Sequence, residues 1–229
     1  MALALGGAGA KLALVSRDRA KLEESAEQAA KLGAESAVFP TDVTDESQVL
    51  ALERDVMERF GRADILINNA GIAIRKTLVD YTLEEWNAVM DTNLTSMFLM
   101  CRSFVPHMVG KGYGRVINIS SIMGHVSIQL RSAYSASKFA VLGLTKALAL
   151  EHATDGIAVV AISPGPFATE MTAPLRQQPD QLNTFNASVP MARWGEPDEV
   201  GKLALFLCSD GAGYITGTDI VIDGGWTAR

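Results

Sequence analysis

Apolar and polar residues follow one another along the chain in blocks that predict strands separated by helices. Six short apolar runs lack internal alternation, which is typical of strands buried on both faces of a sheet. Amphipathic segments of helical length lie between most of them. This order predicts an α/β fold, a doubly wound, Rossmann-like parallel sheet with helices on both faces, in a single domain covering residues 1–229. The predicted strands are residues 11–16, 37–39, 64–68, 116–119, 157–163 and 219–222.

Capping residues mark where the helices begin. Asp18 is placed to cap a helix that ends at about residue 32, and Thr44 or Asp45 opens a helix that ends near residue 60. Thr82 and Glu85 have the spacing of a capping box. This box predicts one long helix that continues to about residue 108.

Composition narrows the class of protein. With 48% hydrophobic and 20% charged residues, the 229-residue chain is expected to be globular. A net charge of -6 gives no electrostatic case for binding nucleic acid or an anionic membrane. Cys101 and Cys208 lie far apart, so neither a disulfide framework nor a metal site is expected. No apolar run is long enough to span a bilayer, and a cytoplasmic domain is expected.

Polar clusters follow five of the predicted strands. In parallel sheets, ligands bind outside the carboxyl ends of the strands, where these clusters fall. Each cluster alone is ordinary turn chemistry, but five at one sheet edge predict a ligand site. The clusters are Ser16-Arg17, Asp42, Asn68-Asn69-Ala70-Gly71, Ser120-Ser121 and Pro164-Gly165.

Tyr134 and Lys138 are four residues apart, so on a helix they lie on one face, one turn from each other. An ammonium beside a phenol favours the phenolate and lowers a pKa that starts near 10. The pair is therefore a candidate proton-transfer group, and Ser121 lies where the fourth strand leaves the sheet.

Over nearly its whole length the chain resembles the short-chain dehydrogenase/reductase family. The resemblance implies reversible hydride transfer between a nicotinamide cofactor and a small-molecule carbonyl/alcohol pair. It implies that Tyr134 is the general acid/base and that Ser121 hydrogen-bonds the substrate oxygen. Lys138 would lower the Tyr134 pKa and hold the nicotinamide ribose, and Asn93 would support a proton relay. The matching segments are Asn68-Asn69-Ala70-Gly71, Asn93, Ser121 with Tyr134 and Lys138, Pro164-Gly165 with Thr169, and the tail from residue 193 to residue 225.

The same resemblance implies the cofactor contacts. Asp42 and Val43 would contact the adenine, while Asn69, Ala70 and Gly71 would line the adenosine and ribose path. Pro164 and Gly165 belong to the same set, and Thr169 would bond the carboxamide. Relatives that prefer NAD tend to carry an acidic residue at the end of the strand that here ends in Ser16 and Arg17. Because a guanidinium suits a 2′-phosphate, NADP is the expected cofactor, with NAD possible.

The family's first strand and its T-G-x-x-x-G-x-G turn have no counterpart in this sequence. Gly6 to Gly9 follow a helical fragment and precede a strand, the order of a helix C-cap and turn rather than of a phosphate loop. On the order of twenty residues, including a central strand, are expected to be absent. Either the chain is incomplete, or the remaining strands close the gap. Without its pyrophosphate site, the chain is expected to bind dinucleotide poorly.

Three functions stay open on the sequence: a working NADP-dependent carbonyl reductase, a cofactor-deficient partner subunit, and a non-functional truncation product. Residues 169–196 are expected to form a lid over the substrate, and their mixed composition selects neither an apolar nor an anionic ligand. A 3-oxoacyl thioester and a sugar or gluconate are both candidate substrates by resemblance. The family also implies a homo-oligomer, a tetramer or a dimer, packed through the helix of Tyr134 and Lys138 and the segment near Trp226.

Overall fold

A computed structural model describes residues 1–169, 172 and 188–228, in which helices and strands alternate along the chain. The helices are α1 (Ala2–Gly7), α2 (Arg19–Lys31), α3 (Glu46–Phe60), α4 (Leu83–Met90), α5 (Ser96–Phe104), α6 (Ser132–Glu151) and α7 (Pro197–Leu207). The strands are β1 (Leu12–Ser16), β2 (Ser36–Pro40), β3 (Ile65–Asn68), β4 (Gly114–Ile119), β5 (Ile157–Pro164) and β6 (Thr218–Ile222).

All strand pairs are parallel, and helices cover both faces of the larger sheet. In that sheet the strand order is β3-β4-β5-β6. Val116 of β4 packs in one core cluster with Val141 of α6, whereas its neighbour Ile117 packs in another with Ala204 of α7. Adjacent residues of one strand are thus buried on opposite faces, which explains why the strands lack polar alternation. The predicted α/β, doubly wound fold is confirmed.

The sheet is divided in two. β1 pairs only with β2, and β3 begins the four-stranded sheet, so in the part of the chain that the structure describes no strand bridges β1 and β3. Both strands line one cavity of about 1080 Å³. The remaining strands therefore do not close the gap where a central strand was expected to be absent. The facing edges of β1 and β3 keep backbone groups that have no strand partner.

Most helix ends match the sequence prediction. The Asp18 side chain accepts from the Lys21 amide at 3.2 Å, and Thr82 with Glu85 forms the capping box. α1 ends at Gly7, and Gly9 follows with a φ of +95°, so these glycines form a helix end and turn. Among the described residues, no helix has the length and apolar character needed to cross a membrane.

The long helix predicted after Thr82 is interrupted. Between α4 and α5 the backbone forms a π-helical segment, Asp91–Thr95. Asn93 lies in this segment and is fully buried, with its side-chain hydrogen bonds directed away from its own helix. Single π turns often mark functional positions, and this one points Asn93 toward α6.

Candidate active site

Ser121 and Tyr134 come from two elements that meet at the carboxyl end of β4. Ser121 opens the short 3₁₀ turn Ile122–Gly124, and its hydroxyl accepts from the Met123 amide at 3.1 Å. Tyr134 lies in the first turn of α6, where its phenol is near enough to the Ser121 side chain for that hydroxyl to lower the phenol pKa. The two hydroxyls predicted to share a substrate oxygen are therefore neighbours.

Lys138 is held one turn further along α6 and is 3% exposed. Its Nζ lies 5.6 Å from the centroid of the Tyr134 ring and donates to the Ile119 carbonyl oxygen at 2.7 Å. Burial lowers the pKa of Lys138 to about 8. The ammonium is thus charged at neutral pH but releases its proton far more readily than an exposed lysine.

The pKa of Tyr134 is raised above its ordinary value, opposite to the direction expected from the Lys138 charge alone. Burial of the phenol is the largest cause, and it outweighs the hydrogen bond from Ser121 and the positive charge of Arg131, which both lower the pKa. Tyr134 is therefore protonated at neutral pH and able to donate a proton.

Asn93 joins the segment after β3 to the helix that carries Tyr134. Its Oδ1 accepts from the Ile72 amide at 2.8 Å, and its Nδ2 donates to the Ile72 carbonyl and the Ser137 hydroxyl, both at 3.0 Å. Ser137 in turn donates to the Tyr134 carbonyl at 2.7 Å. One continuous hydrogen-bond chain thus fixes the loop, the π turn and α6 relative to one another.

Ser137 was missed by the sequence analysis. It is fully buried and lies three residues after Tyr134, so helical spacing alone places it beside the catalytic face. The Ile72 backbone partner had no such signal, because a backbone amide looks the same at every position of a sequence.

The residues predicted to bind the adenosine end line the cavity between the two sheets. The Arg17 Nη1 lies 3.7 Å from the Asp42 Oδ2, so the guanidinium forms an exposed ion pair. The pKa of Asp42 is lowered, chiefly by the hydrogen bond from the Thr44 hydroxyl at 2.7 Å, with a smaller contribution from Arg17. The cavity-lining residues among those predicted are Ser16, Arg17, Asp42, Val43, Asn69, Ala70 and Gly71.

The segment after β5 lies beyond that cavity. Gly165 donates to the Ile222 carbonyl at 2.9 Å, and a Cβ on it would come within 2.6 Å of the Asp223 Cβ, so only glycine fits there. Pro164 ends β5, and the Thr169 amide donates to the Thr172 hydroxyl at 3.0 Å. Most of the predicted lid lies outside the described residues.

Comparison with known protein families assigns the chain to a family and to a class of enzyme. The family model described as Enoyl-(Acyl carrier protein) reductase matches residues 1–227. The chain belongs to the short-chain dehydrogenase/reductase family. The predicted family is confirmed, as is the predicted class of enzyme, an NAD(P)-dependent alcohol/carbonyl oxidoreductase.

Relatives within the short-chain dehydrogenase/reductase family carry different substrate names. The chain is 37% identical to a 2-dehydro-3-deoxy-D-gluconate 5-dehydrogenase of Bacillus subtilis, over 100% of this chain and 89% of the relative. It is 40% identical to a 3-oxoacyl-(acyl-carrier-protein) reductase of Buchnera aphidicola, over 80% of this chain and 74% of the relative. A solved short-chain type dehydrogenase/reductase from Mycobacterium marinum superposes with a TM-score of 0.94 at 37% identity, covering 100% of this chain and 90% of that one.

The residues present fit a nicotinamide dinucleotide at its two ends. At one end Arg17 and Asp42 lie at the cavity. At the other, Gly71 lies so close to Asn93 and Lys138 that a Cβ would be 3.4 Å from the Asn93 Oδ1 and 3.7 Å from the Lys138 Nζ. Between these ends, the described part of the chain holds no strand that leads through a glycine-rich turn into a helix at the cavity. The fit is therefore incomplete where a diphosphate needs backbone N–H donors.

Proposed function

We propose that this short-chain dehydrogenase/reductase transfers hydride reversibly between NADP(H) and a carbonyl or secondary alcohol, with Tyr134 as general acid/base. The observation that supports this most is the placement of the half-buried Tyr134 phenol beside the Ser121 hydroxyl, with the buried Lys138 ammonium one helix turn away. Exchange of Tyr134, detailed in the Discussion, tests it.

When bound, a nicotinamide dinucleotide would supply the hydride that the carbonyl carbon receives in the reduction direction. Tyr134 donates its phenolic proton to the carbonyl oxygen, so that no alkoxide has to persist. Ser121 donates a hydrogen bond to the same oxygen and orients it. Lys138 is positively charged at pH 7 and stabilises the tyrosinate that remains. Asn93 and Ser137 hold this helix in place, and the support of a proton relay that the family resemblance implies for Asn93 belongs to the same proposal.

Arg17 supports the preference for NADP over NAD. Its guanidinium lies at the cavity wall, and its ion pair with Asp42 is exposed enough to exchange for a 2′-phosphate. Exchanging Arg17 for Gln should lower the ratio of kcat/KM for NADPH to that for NADH by about tenfold or more. Arg19→Gln is a matched control, because Arg19 is similarly exposed and also forms an ion pair, with Glu23 of its own helix α2. An unchanged ratio in Arg17→Gln would contradict the assignment.

The divided sheet favours a second candidate, a cofactor-deficient partner subunit. β1 and β3 line a cavity where the diphosphate path has no glycine-rich turn among the described residues. Calorimetric titration of the 229-residue chain with NADPH separates the two candidates. Micromolar binding eliminates the partner-subunit candidate, whereas a folded chain that does not bind NADPH supports it.

Two substrate classes follow from the relatives' names. Incubation with NADPH and an acetoacetyl thioester, set against NADP with gluconate, discriminates a 3-oxoacyl reductase from a gluconate-type dehydrogenase. Turnover in one arm alone assigns the class.

A homo-oligomer, a tetramer or a dimer, belongs to the same proposal. On α6, Leu144 and Leu148 pack against the core, but Phe139 is 50% and Leu150 80% exposed. These two side chains give the helix an apolar outer surface suited to a second copy. Light scattering measures the assembly directly, and a clean monomer would contradict it.

A further inference from the structure

The gap between β1 and β3 is bounded by two strand edges that run in the same direction. Ala10, which lies just before β1, and Ile65, the first residue of β3, line one small cavity together. Every residue of β1 and of β3 lines the larger cavity of about 1080 Å³. The two edges are therefore aligned like members of one sheet, so a single strand between them could form the same kind of ladder with both.

The backbone of β1 directs every second residue into this gap. In a parallel ladder, alternate residues of a strand bond to one neighbour, and the residues between them point to the opposite side. The Leu12 amide donates to the Glu35 carbonyl oxygen at 2.9 Å. Leu12 and every second residue after it therefore bond to β2, which leaves the N–H and C=O groups of Ala13 and Val15 pointing into the gap.

The same reasoning applies to β3. The Arg115 amide of β4 donates to the Asp64 carbonyl oxygen at 2.9 Å, so Asp64 and every second residue after it face β4. The N–H and C=O groups of Ile65 and Ile67 consequently point into the gap. Outside the helices and strand ladders, the hydrogen bonds among described backbone groups include none made by the gap-facing residues of β1 or β3.

The exposure of the two strands is that of a sheet from which one member is absent. β5 has a strand on each side, and all its residues from Ile157 to Ser163 are buried. By contrast, Ala13 in the middle of β1 is exposed, and Ile65 and Ile67 of β3 are only partly buried.

Side chains around the gap are apolar along its length and charged only at its ends. Leu14 and Ile67 pack in one hydrophobic cluster, whereas Val15 and Leu66 pack in another. An occupant therefore needs apolar side chains on both of its faces, as in a strand at the centre of a parallel sheet. The charged residues that line the cavity lie beyond the strand ends: Lys11, Arg62 and Asp64 before them, Arg17 and Asp42 after them.

The cavity has room for one strand. A five-residue strand such as β1 is about 17 Å long, so the mean cross-section of the cavity is about 64 Å². One strand in a packed sheet occupies roughly 48 Å², from the spacing between strands and the spacing between layers. Two strands would need roughly twice that area.

We propose that the gap binds one extended, apolar segment of a second polypeptide, which joins the sheet as a strand between β1 and β3. Only an extended backbone presents donors and acceptors to both edges at the required repeat of about 6.6 Å. The apolar clusters on the two faces select uncharged side chains in the middle of the segment. The inference goes beyond the proposed function, because such binding needs neither cofactor nor substrate.

The test uses the full chain and a synthetic peptide with the sequence Ile157–Ile162 of β5, with two lysines added at each end for solubility. A matched control peptide has the same side chains, but alternate residues carry N-methyl groups, so that one of its edges has no donors. Calorimetry measures the affinity of each peptide. Hydrogen exchange, followed by NMR, identifies the protein amides that each peptide protects.

Two variants test the edges of the small sheet. Ala13→Pro removes one N–H that points into the gap and none that bonds to β2. Ser36→Pro is the matched control, because Leu12 bonds to Glu35 and Ser36 therefore faces the outer edge of β2. Proline is tolerated at strand positions whose N–H does not bond to a partner strand.

The peptide should bind the wild type with a Kd of about 1–100 μM, and the N-methylated peptide at least about tenfold more weakly. Ala13→Pro should weaken binding of the peptide by about tenfold, and Ser36→Pro by less than about twofold. The bound peptide should slow exchange at least about tenfold at the four gap-facing amides but not at the outer edge of β2. If Ala13→Pro does not fold, the exchange of these amides in the wild type decides. The four amides are those of Ala13, Val15, Ile65 and Ile67.

No binding of the peptide, or equal binding of the N-methylated peptide, would overturn the inference. Binding without protection of the gap-facing amides would also overturn it, as would equal weakening by Ala13→Pro and Ser36→Pro. If a second copy of the chain filled the gap instead, the same amides would be protected without peptide, which would contradict the proposed occupant. Since no arm contains cofactor or substrate, the result does not depend on whether the proposed function holds.

Discussion

Exchanging Lys138 for Met should change how the stability of the protein depends on pH. In the folded chain the pKa of Lys138 is lowered to about 8 from its ordinary value of 10.5. Below pH 8 the lysine is protonated in both the folded and the unfolded chain, so it adds no pH dependence. Between about pH 8 and pH 10.5 the unfolded chain keeps a proton that the folded chain has released. The free energy of unfolding therefore rises with pH in this window.

The size of the effect follows from the two pKa values. Their difference corresponds to about 3 kcal/mol, of which about 2 kcal/mol is gained between pH 7 and pH 9.5. Lys138→Met also removes the donor to the Ile119 carbonyl, which costs about 1–3 kcal/mol at every pH. Only the pH-dependent part is specific to the buried ammonium.

Urea unfolding at pH 7 and at pH 9.5 measures this part. The gain in stability between the two pH values should be about 2 kcal/mol smaller in Lys138→Met than in the wild type, because all other groups titrate in both proteins. Lys146→Met, on the exposed face of the same helix, is the control and should follow the wild type. Equal pH dependence in Lys138→Met and the wild type would refute the buried-ammonium reasoning, as would the same loss in Lys146→Met.

Four further exchanges probe the site and its frame. Tyr134→Phe should lower turnover by about 10²- to 10⁴-fold and leave NADPH affinity, measured by calorimetry, nearly unchanged; retained turnover would contradict its role as acid/base. Asn93→Ala removes the buried bonds to Ile72 and Ser137 and should lower the free energy of unfolding by about 3 kcal/mol in a urea titration, whereas no loss would show that the bonds are not stabilising. Gly165→Ala should lower the free energy of unfolding by about 1–3 kcal/mol, because the new Cβ would collide with Asp223. Gly143→Ala, which has open space around its Cβ, should instead stabilise α6 by about 0.5–1 kcal/mol. A change of the same sign in both variants would contradict the packing argument.

The fold followed from the sequence because its signals are local. Uninterrupted apolar runs and caps such as Asp18 and Thr82 are written in adjacent residues, and the structure places strands and helices at them. The interruption at Asn93 was not predictable in this way. It depends on a backbone partner at Ile72 and a hydroxyl at Ser137, both remote in the chain.

The candidate site was predicted in composition but not in its electrostatics. Ser121, Tyr134 and Lys138 are recognisable by type and spacing, and the fold brings them together. The direction of the Tyr134 pKa depends on how deeply the ring is buried, a quantity that only packing defines.

The gap between β1 and β3 also determines how the protein can open. In the described chain, no strand-to-strand hydrogen bonds link the β1–β2 pair to the larger sheet, and the two parts contact each other through side chains such as Leu14 and Ile67. The β1–β2 pair can consequently detach as a whole while the strands within each sheet keep their hydrogen bonds to one another. Partial unfolding should therefore begin as the separation of two intact bodies, with the amides of β1 and β2 exchanging with solvent before those of β4 and β5.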